Sequence, residues 1–137
     1  MAETPHNSMQ WREADEPASL SVVERVVVVT LTRDLTVPVL ERLRALVLTK
    51  AQQVRAVGIV FDATNLPLMD AQEFRGLRQT ASMLRLLGSR SVLAGLPATV
   101  AELLSVLGTD TDGFDATVAS VQDGLRFLHR TSPRASR

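Results

Sequence analysis

The sequence predicts an α/β protein: a mixed, mainly parallel β-sheet with helices packed mainly on one side. Three observations lead there. Short apolar, β-branched runs alternate along the chain with longer segments of helical spacing. Strands that alternate with helices imply right-handed crossovers and therefore parallel neighbours. Near the front, two β-branched runs flank Glu24-Arg25, the pattern of a tight hairpin that adds one antiparallel strand.

Taken in order, residues 1–18 carry Pro5, Pro17 and scattered charge without periodicity and read as a flexible lead-in, with Trp11 as the one residue there that could dock on the body. Residues 19–130 read as a single domain and 131–137 as a loose basic tail. SLSVVERVVVVTL, Ser19 to Leu31, predicts a short strand, a turn and a longer strand. Because Val26 to Val29 are continuously apolar, that second strand is expected to be buried on both faces.

Thr36 is a good N-cap and Pro38 falls in the first helical turn, where its missing N–H costs little. Val39, Leu43, Leu46 and Lys50 follow one helical face, and Leu40 and Val47 widen the apolar stripe. AVGIVFD, Ala56 to Asp62, reads as a central strand, and Thr64 to Leu68 as a loop containing Pro67. Asp70 with Glu73 three residues on predicts a capping box. The helix behind it should bury Phe74, Leu77, Ala81 and Leu84 and stop at Gly88.

SVLAGL, Ser91 to Leu96, predicts another strand. Pro97 to Leu107 predicts a short helix with Val100, Leu103, Leu104 and Leu107 on its apolar face, ended by Gly108. TDTDG then makes a turn and FDATV a short strand. Ser120 caps a last helix from Val121 to about Arg130, with Asp123 in its third position.

Composition narrows the chemistry. The chain has 137 residues, 45% hydrophobic and 22% charged, as in an ordinary globular domain large enough to hold its own core. It has no cysteine, which removes disulfides, thiolate catalysis and cysteine metal sites together. A formal net charge of zero provides no global field for nucleic acid. No apolar run approaches the roughly 20 residues of a spanning helix. The polar, acidic first residues lack the layout of a signal peptide, so a cytoplasmic location is expected.

An enzyme requires a constellation of groups, and none is persuasive here. The two histidines are His6, in the lead-in, and His129, beside the tail. No phosphate-binding glycine loop is followed by lysine and a hydroxyl. Asp110 and Asp112 lack the distal glutamate of a calcium loop and read as a solvated turn. Arg126, Arg130, Arg134 and Arg137 could meet an acidic surface, but no aromatic residues accompany them for nucleic-acid stacking, and a solvated helix end is favoured. No catalytic residue, metal site or cofactor is expected.

The informative segment is the loop after Asp62. A strand end at the carboxyl edge of a parallel sheet is where ligands and partners often bind. Thr64, Asn65, Asp70 and Gln72 put polar groups there. Read on these residues alone, Asp70 is first a helix cap, and only second part of an anion or partner site at the helix N-terminus.

DATNLPLMDAQEF, the strand ending in Asp62, the order of elements and the later GLPATVAELLSVLG together resemble the STAS domain, the family of bacterial anti-sigma-factor antagonists. The likeness covers about Leu20 to Leu128 and is greatest to the single-domain scaffold subunits of the stressosome. In that family the residue after the matching aspartate is commonly a serine or threonine that a partner switch kinase phosphorylates, and phosphorylation breaks the partner contact. Here that position is Ala71, which has no hydroxyl. Some stressosome proteins have a further phosphorylated threonine near the third helix, where this chain has Thr99 and Ser105.

The resemblance implies a non-enzymatic regulator that works in stress-response signal transduction by partner switching. It would bind or sequester a switch serine/threonine protein kinase or an anti-sigma factor, and assemble with related STAS subunits or with itself. It implies no direct membrane insertion. The expected contact face is Thr64, Asn65, Leu66, Met69, Asp70, Ala71, Gln72 and Arg75, extended by helical geometry to Gln79, Met83 and Leu86. The alternatives are a STAS accessory subunit of a membrane transport complex, and a small-ligand or nucleotide-binding module at the sheet edge.

Overall fold

A computed structural model describes residues 18–31, 35–66, 69–106 and 113–131. Five strands form one sheet in the order of the chain: β1 (Ala18–Val23), β2 (Val26–Leu31), β3 (Gly58–Asp62), β4 (Ser91–Ala94) and β5 (Ala116–Val118). β1 pairs antiparallel with β2, and every later pair is parallel. Between them run α1 (Val37–Val54), α2 (Ala71–Leu86) and α3 (Ala98–Val106), with α4 (Val121–Thr131) after β5. The expected α/β class and the mixed, mainly parallel sheet are present.

The first two strands are each six residues long, so the second is not the longer one as expected. Their two-residue turn has Glu24 at φ 52° and Arg25 at φ 63°. Both central residues of such a hairpin must be left-handed to match the twist of the strands, and glycine or asparagine is usual there. Each non-glycine residue in that region costs roughly 1–2 kcal/mol. An interaction across the fold helps hold the turn: the Arg25 guanidinium donates through Nε to the Arg55 carbonyl at 3.1 Å. Arg55 is itself the left-handed cap that ends α1.

Strand alternation splits the core into two layers. Val27, Val29, Leu31, Ile59, Phe61 and Leu93 point to the side of α1 and α2. Val26, Val28, Val60, Val92 and Ala94 point to the side of α4, where Leu128 is fully buried. Val100 of α3 belongs to the first layer, so most of the helices share one side and α4 covers the other. Phe61, Phe74 and Phe114 form an aromatic cluster in the first layer, the Phe61–Phe114 pair being edge-to-face at 6.1 Å.

Two expected helix faces are corrected. In α1 the buried stripe is Leu40, Leu43, Val47 and Ala51, while Val39 and Leu46 are its half-buried flanks. The helix sits against β2 on one side and α2 on the other, which rotates the buried centre toward the groove between them. In α3, Leu103 is 40% exposed instead of buried. Leu107, Gly108, Asp110 and Asp112 lie outside the described residues, as do His6, Trp11, Arg134 and Arg137. Among the described residues no helix is long and apolar enough to cross a membrane.

Candidate partner-binding site at the start of α2

The carboxyl ends of β3 and β4 and the first turn of α2 form the candidate site. Asp62 closes β3, and its Oδ1 accepts from the Thr64 N–H at 3.0 Å. Ala63 donates to the Ala94 carbonyl at 2.8 Å, and Leu66 donates to the Ala63 carbonyl at 3.1 Å. The loop is thereby folded into a turn over the end of β4. Gly95 makes room for it: its φ is +73°, and a Cβ there would lie 2.0 Å from Thr64 Oγ1.

The helix opens with a reciprocal cap. Asp70 Oδ1 accepts from the Glu73 N–H at 2.7 Å, and Glu73 Oε1 accepts from the Asp70 N–H at 3.0 Å. Two otherwise unpaired donors of the first turn are satisfied in this way. Glu73 does more than cap, because its second oxygen, Oε2, accepts from the Leu35 N–H at 2.9 Å. Leu35 directly precedes Thr36, the N-cap of α1. One half-buried carboxylate therefore fixes the starts of two neighbouring helices relative to each other. Both carboxylates also lie where the helix dipole favours negative charge.

The expected contact residues separate into two groups. Thr64, Asn65, Asp70, Gln72, Arg75 and Gln79 are exposed, Ala71 is half-buried, and Met83 and Leu86 are 41% and 86% exposed. Gln72, Arg75, Gln79, Met83 and Leu86 recur at helical spacing and line one outer stripe of α2. Arg44 of α1 reaches this stripe, its Nη1 lying 3.3 Å from Met83 Sδ.

Leu66 and Met69 are the correction. They are only 3% and 1% exposed and belong to the first core layer. The turn at Ala63–Leu66 and the capped helix start leave both side chains pointing inward, so they support the surface from beneath and offer it no area. Ala71 packs against the same layer from its rim.

Sequence reasoning missed Glu73 and Gly95. Glu73 was legible as a cap, but nothing local in the sequence signals its second bond to Leu35. Gly95 falls inside the expected strand Ser91 to Leu96, whereas β4 ends at Ala94 and Gly95 turns left-handed, for which the sequence has no local signal. Among the described residues there is no group of three or more histidine, cysteine, aspartate or glutamate side chains that could hold a metal ion. His129 lies on α4, with Nε2 3.7 Å from Glu24 Oε1 and away from the α2 site.

The STAS domain family model matches residues 18–123. The chain belongs to the STAS domain family. Its fold is similar to RsbS of Moorella thermoacetica, solved as a serine-to-glutamate variant, with 27% identity, 82% of this chain and 95% of that chain covered, and a TM-score of 0.66. It is also similar to a chain of the stressosome, described as a signal integration and transduction hub, with 27% identity, 84% and 99% covered, and a TM-score of 0.69. The unphosphorylated anti-sigma factor antagonist SpoIIAA shares the fold at 20% identity, 82% and 96% covered, and a TM-score of 0.61. The murine Solute Carrier 26 family member A9 anion transporter shares it at 16% identity over 23% of its own chain, with 91% of this chain covered and a TM-score of 0.64. No curated protein sequence matches.

Proposed function

We propose that this STAS protein is a non-enzymatic regulator of the anti-sigma-antagonist or stressosome-scaffold type. It binds a switch serine/threonine protein kinase or an anti-sigma factor through the outer stripe of α2 and the loop before it. The observation that carries the reading is Ala71. It sits on the first turn of α2, half-buried behind a fully formed Asp70–Glu73 cap, and the sequence resemblance matches it to the position where family members commonly carry the phosphate acceptor. The likeness to RsbS and to the stressosome chain, both at 27% identity, supports the same direction. The transporter likeness, at 16% identity, supports the fold alone.

In this reading the chain keeps the contact surface and omits its control. A methyl group meets a partner with little desolvation, whereas a phosphoserine would bring about −1.5 to −2 charges to the same turn. Asp70 would stand next to that charge. Binding is therefore constitutive with respect to phosphorylation at position 71.

The test is partner affinity for wild type, Ala71→Ser and Ala71→Glu, each with kinase and ATP present or absent. Ala71→Glu should weaken binding about tenfold or more, equivalent to about 1.4 kcal/mol. Ala71→Ser should bind like wild type until phosphorylated. Undiminished binding by Ala71→Glu would exclude this helix end as the contact.

A further inference from the structure

The chain has no net charge, but its charges are unevenly placed. Residues 1–17, which lie outside the described residues, hold Glu3, Glu13, Asp15 and Glu16 against Arg12, and they hold Trp11, the single tryptophan. α1 and α2 each carry three basic side chains and one acid. The acid of α2, Glu73, is turned to the Asp70 and Leu35 N–H groups, and Asp70 itself is taken up by the cap. Glu41 is then the one acid of the two helices that faces solvent. An acidic segment and a basic helical layer therefore belong to the same chain.

The fold fixes where the acidic segment is attached. Ala18 pairs with Leu31, and Thr30 with Asp62, so β1 begins at the edge of the sheet where β3 ends. At the same edge Glu73 joins the starts of α1 and α2. Ala18 is buried in the core layer beneath those helices. Glu13, Asp15 and Glu16 are tethered to it within about 18 Å, and Trp11 within about 25 Å, even at full extension. Both helices turn their positive ends to this edge, and α1 has no acid in its first turn. Next along the surface come Arg75, exposed on α2, and Arg44, which reaches Met83 from α1. Val37, on the Arg44 face of α1, is 63% exposed, and Met83 and Leu86 add further apolar surface.

We infer that the outer groove between α1 and α2 is a docking surface for the chain's own residues 11–16. The carboxylates of Glu13, Asp15 and Glu16 meet the start of α1 and Arg75, and Trp11 lies on Met83 beside Arg44. A thioether sulfur and a guanidinium are both favourable neighbours for an indole ring. The contact is small, but the tether supplies an effective concentration on the order of millimolar, so a contact too weak to hold a free peptide is populated within the chain. The surface covered is the outer stripe of α2. If that stripe is the partner contact of the reading above, the lead-in and the partner exclude each other, and the acidic segment supplies a control that position 71 does not. The docking itself does not depend on that reading.

The experiment uses the full chain, in which Trp11 is the single fluorescent indole and no native cysteine competes with a label. At low salt, acrylamide should quench Trp11 about twofold less than it quenches a peptide of residues 1–17, and 1 M salt should remove much of that protection, because the Debye length falls to about 3 Å. Arg44→Glu with Arg75→Glu should bring quenching up to the peptide's value, with circular dichroism confirming that the variant is folded. A nitroxide attached at Gln79→Cys, on the α2 stripe, should quench Trp11 strongly. One attached at Gln122→Cys, on α4 and across the sheet, should not. A wild-type Trp11 as open to acrylamide as the peptide overturns the proposal and leaves the groove to a separate partner. Protection that survives the two arginine substitutions, or equal quenching by both nitroxides, overturns it as well, since the segment would then be seated elsewhere.

Discussion

The starts of α2 and α4 have the same local grammar and use it differently. Each opens with an oxygen-bearing cap followed three residues later by an acid, Asp70 with Glu73 and Ser120 with Asp123. At α4 the arrangement closes on itself: Ser120 Oγ accepts from the Asp123 N–H at 3.2 Å and donates to Asp123 Oδ2 at 3.1 Å. The remaining carboxylate oxygen pairs with Arg126 of the same helix. At α2 the acid is one methylene longer, and that reach lets it hold both Asp70 and Leu35. A local motif has become a brace between elements. The α2 start is thus fixed from two sides, while the α4 start is only terminated.

The largest expected effect that separates the two is Glu73→Ala. It frees the Asp70 and Leu35 N–H groups together and should cost about 2 kcal/mol in urea unfolding. Faster amide exchange should appear at Leu35, 38 residues away in sequence. If only Asp70 responds, the brace has no energetic weight and the two helix starts are equivalent. Glu73→Gln, with one acceptor oxygen in place of two, should fall between.

Ser120→Ala comes next, at about 1 kcal/mol, an ordinary cap loss with exchange changes confined to the first turn of α4. Ala71→Glu has the opposite sign for stability. An acid in the first turn meets the positive end of the helix dipole, so unfolding should be harder by about 0.3 kcal/mol even as partner affinity drops. A variant that loses both stability and binding would indicate that position 71 matters through packing.

The smallest effect is the pH dependence of the α4 cap. Hydrogen bonds from Arg126 and then from Ser120 hold the Asp123 carboxyl below its ordinary value. A group whose folded pKa is depressed contributes stability above its unfolded pKa and loses it as pH falls through the folded one. The stability difference between wild type and Asp123→Asn should therefore shrink below the ordinary aspartate range, and be flat above it.

Much of this was legible in the sequence because periodicity reports direction. Phe74, Leu77, Ala81 and Leu84 recur at helical spacing, and each is buried as that spacing implies. Asp70 and Glu73 were legible because capping is local. Leu66 and Met69 were misjudged because a loop has no period, so nothing in the sequence says which way its apolar residues turn. In α1 the period was right, but the choice of central face depended on α2, some twenty residues later. Leu103 shows the same limit: a short apolar helix such as α3 has more apolar positions than buried ones.

Coverage of one sheet face by the last described helix has a consequence for synthesis. Strand order follows chain order, so each strand can pair as soon as it emerges, and domains form from the N-terminal side at about 5–20 residues per second. Val26, Val28, Val60 and Val92, however, wait for Leu128 and its neighbours on α4. A nascent chain that has completed β4 carries a paired but half-naked sheet for a few seconds at that rate. That interval is when the sheet is most open to capture by a chaperone or by another unfinished copy.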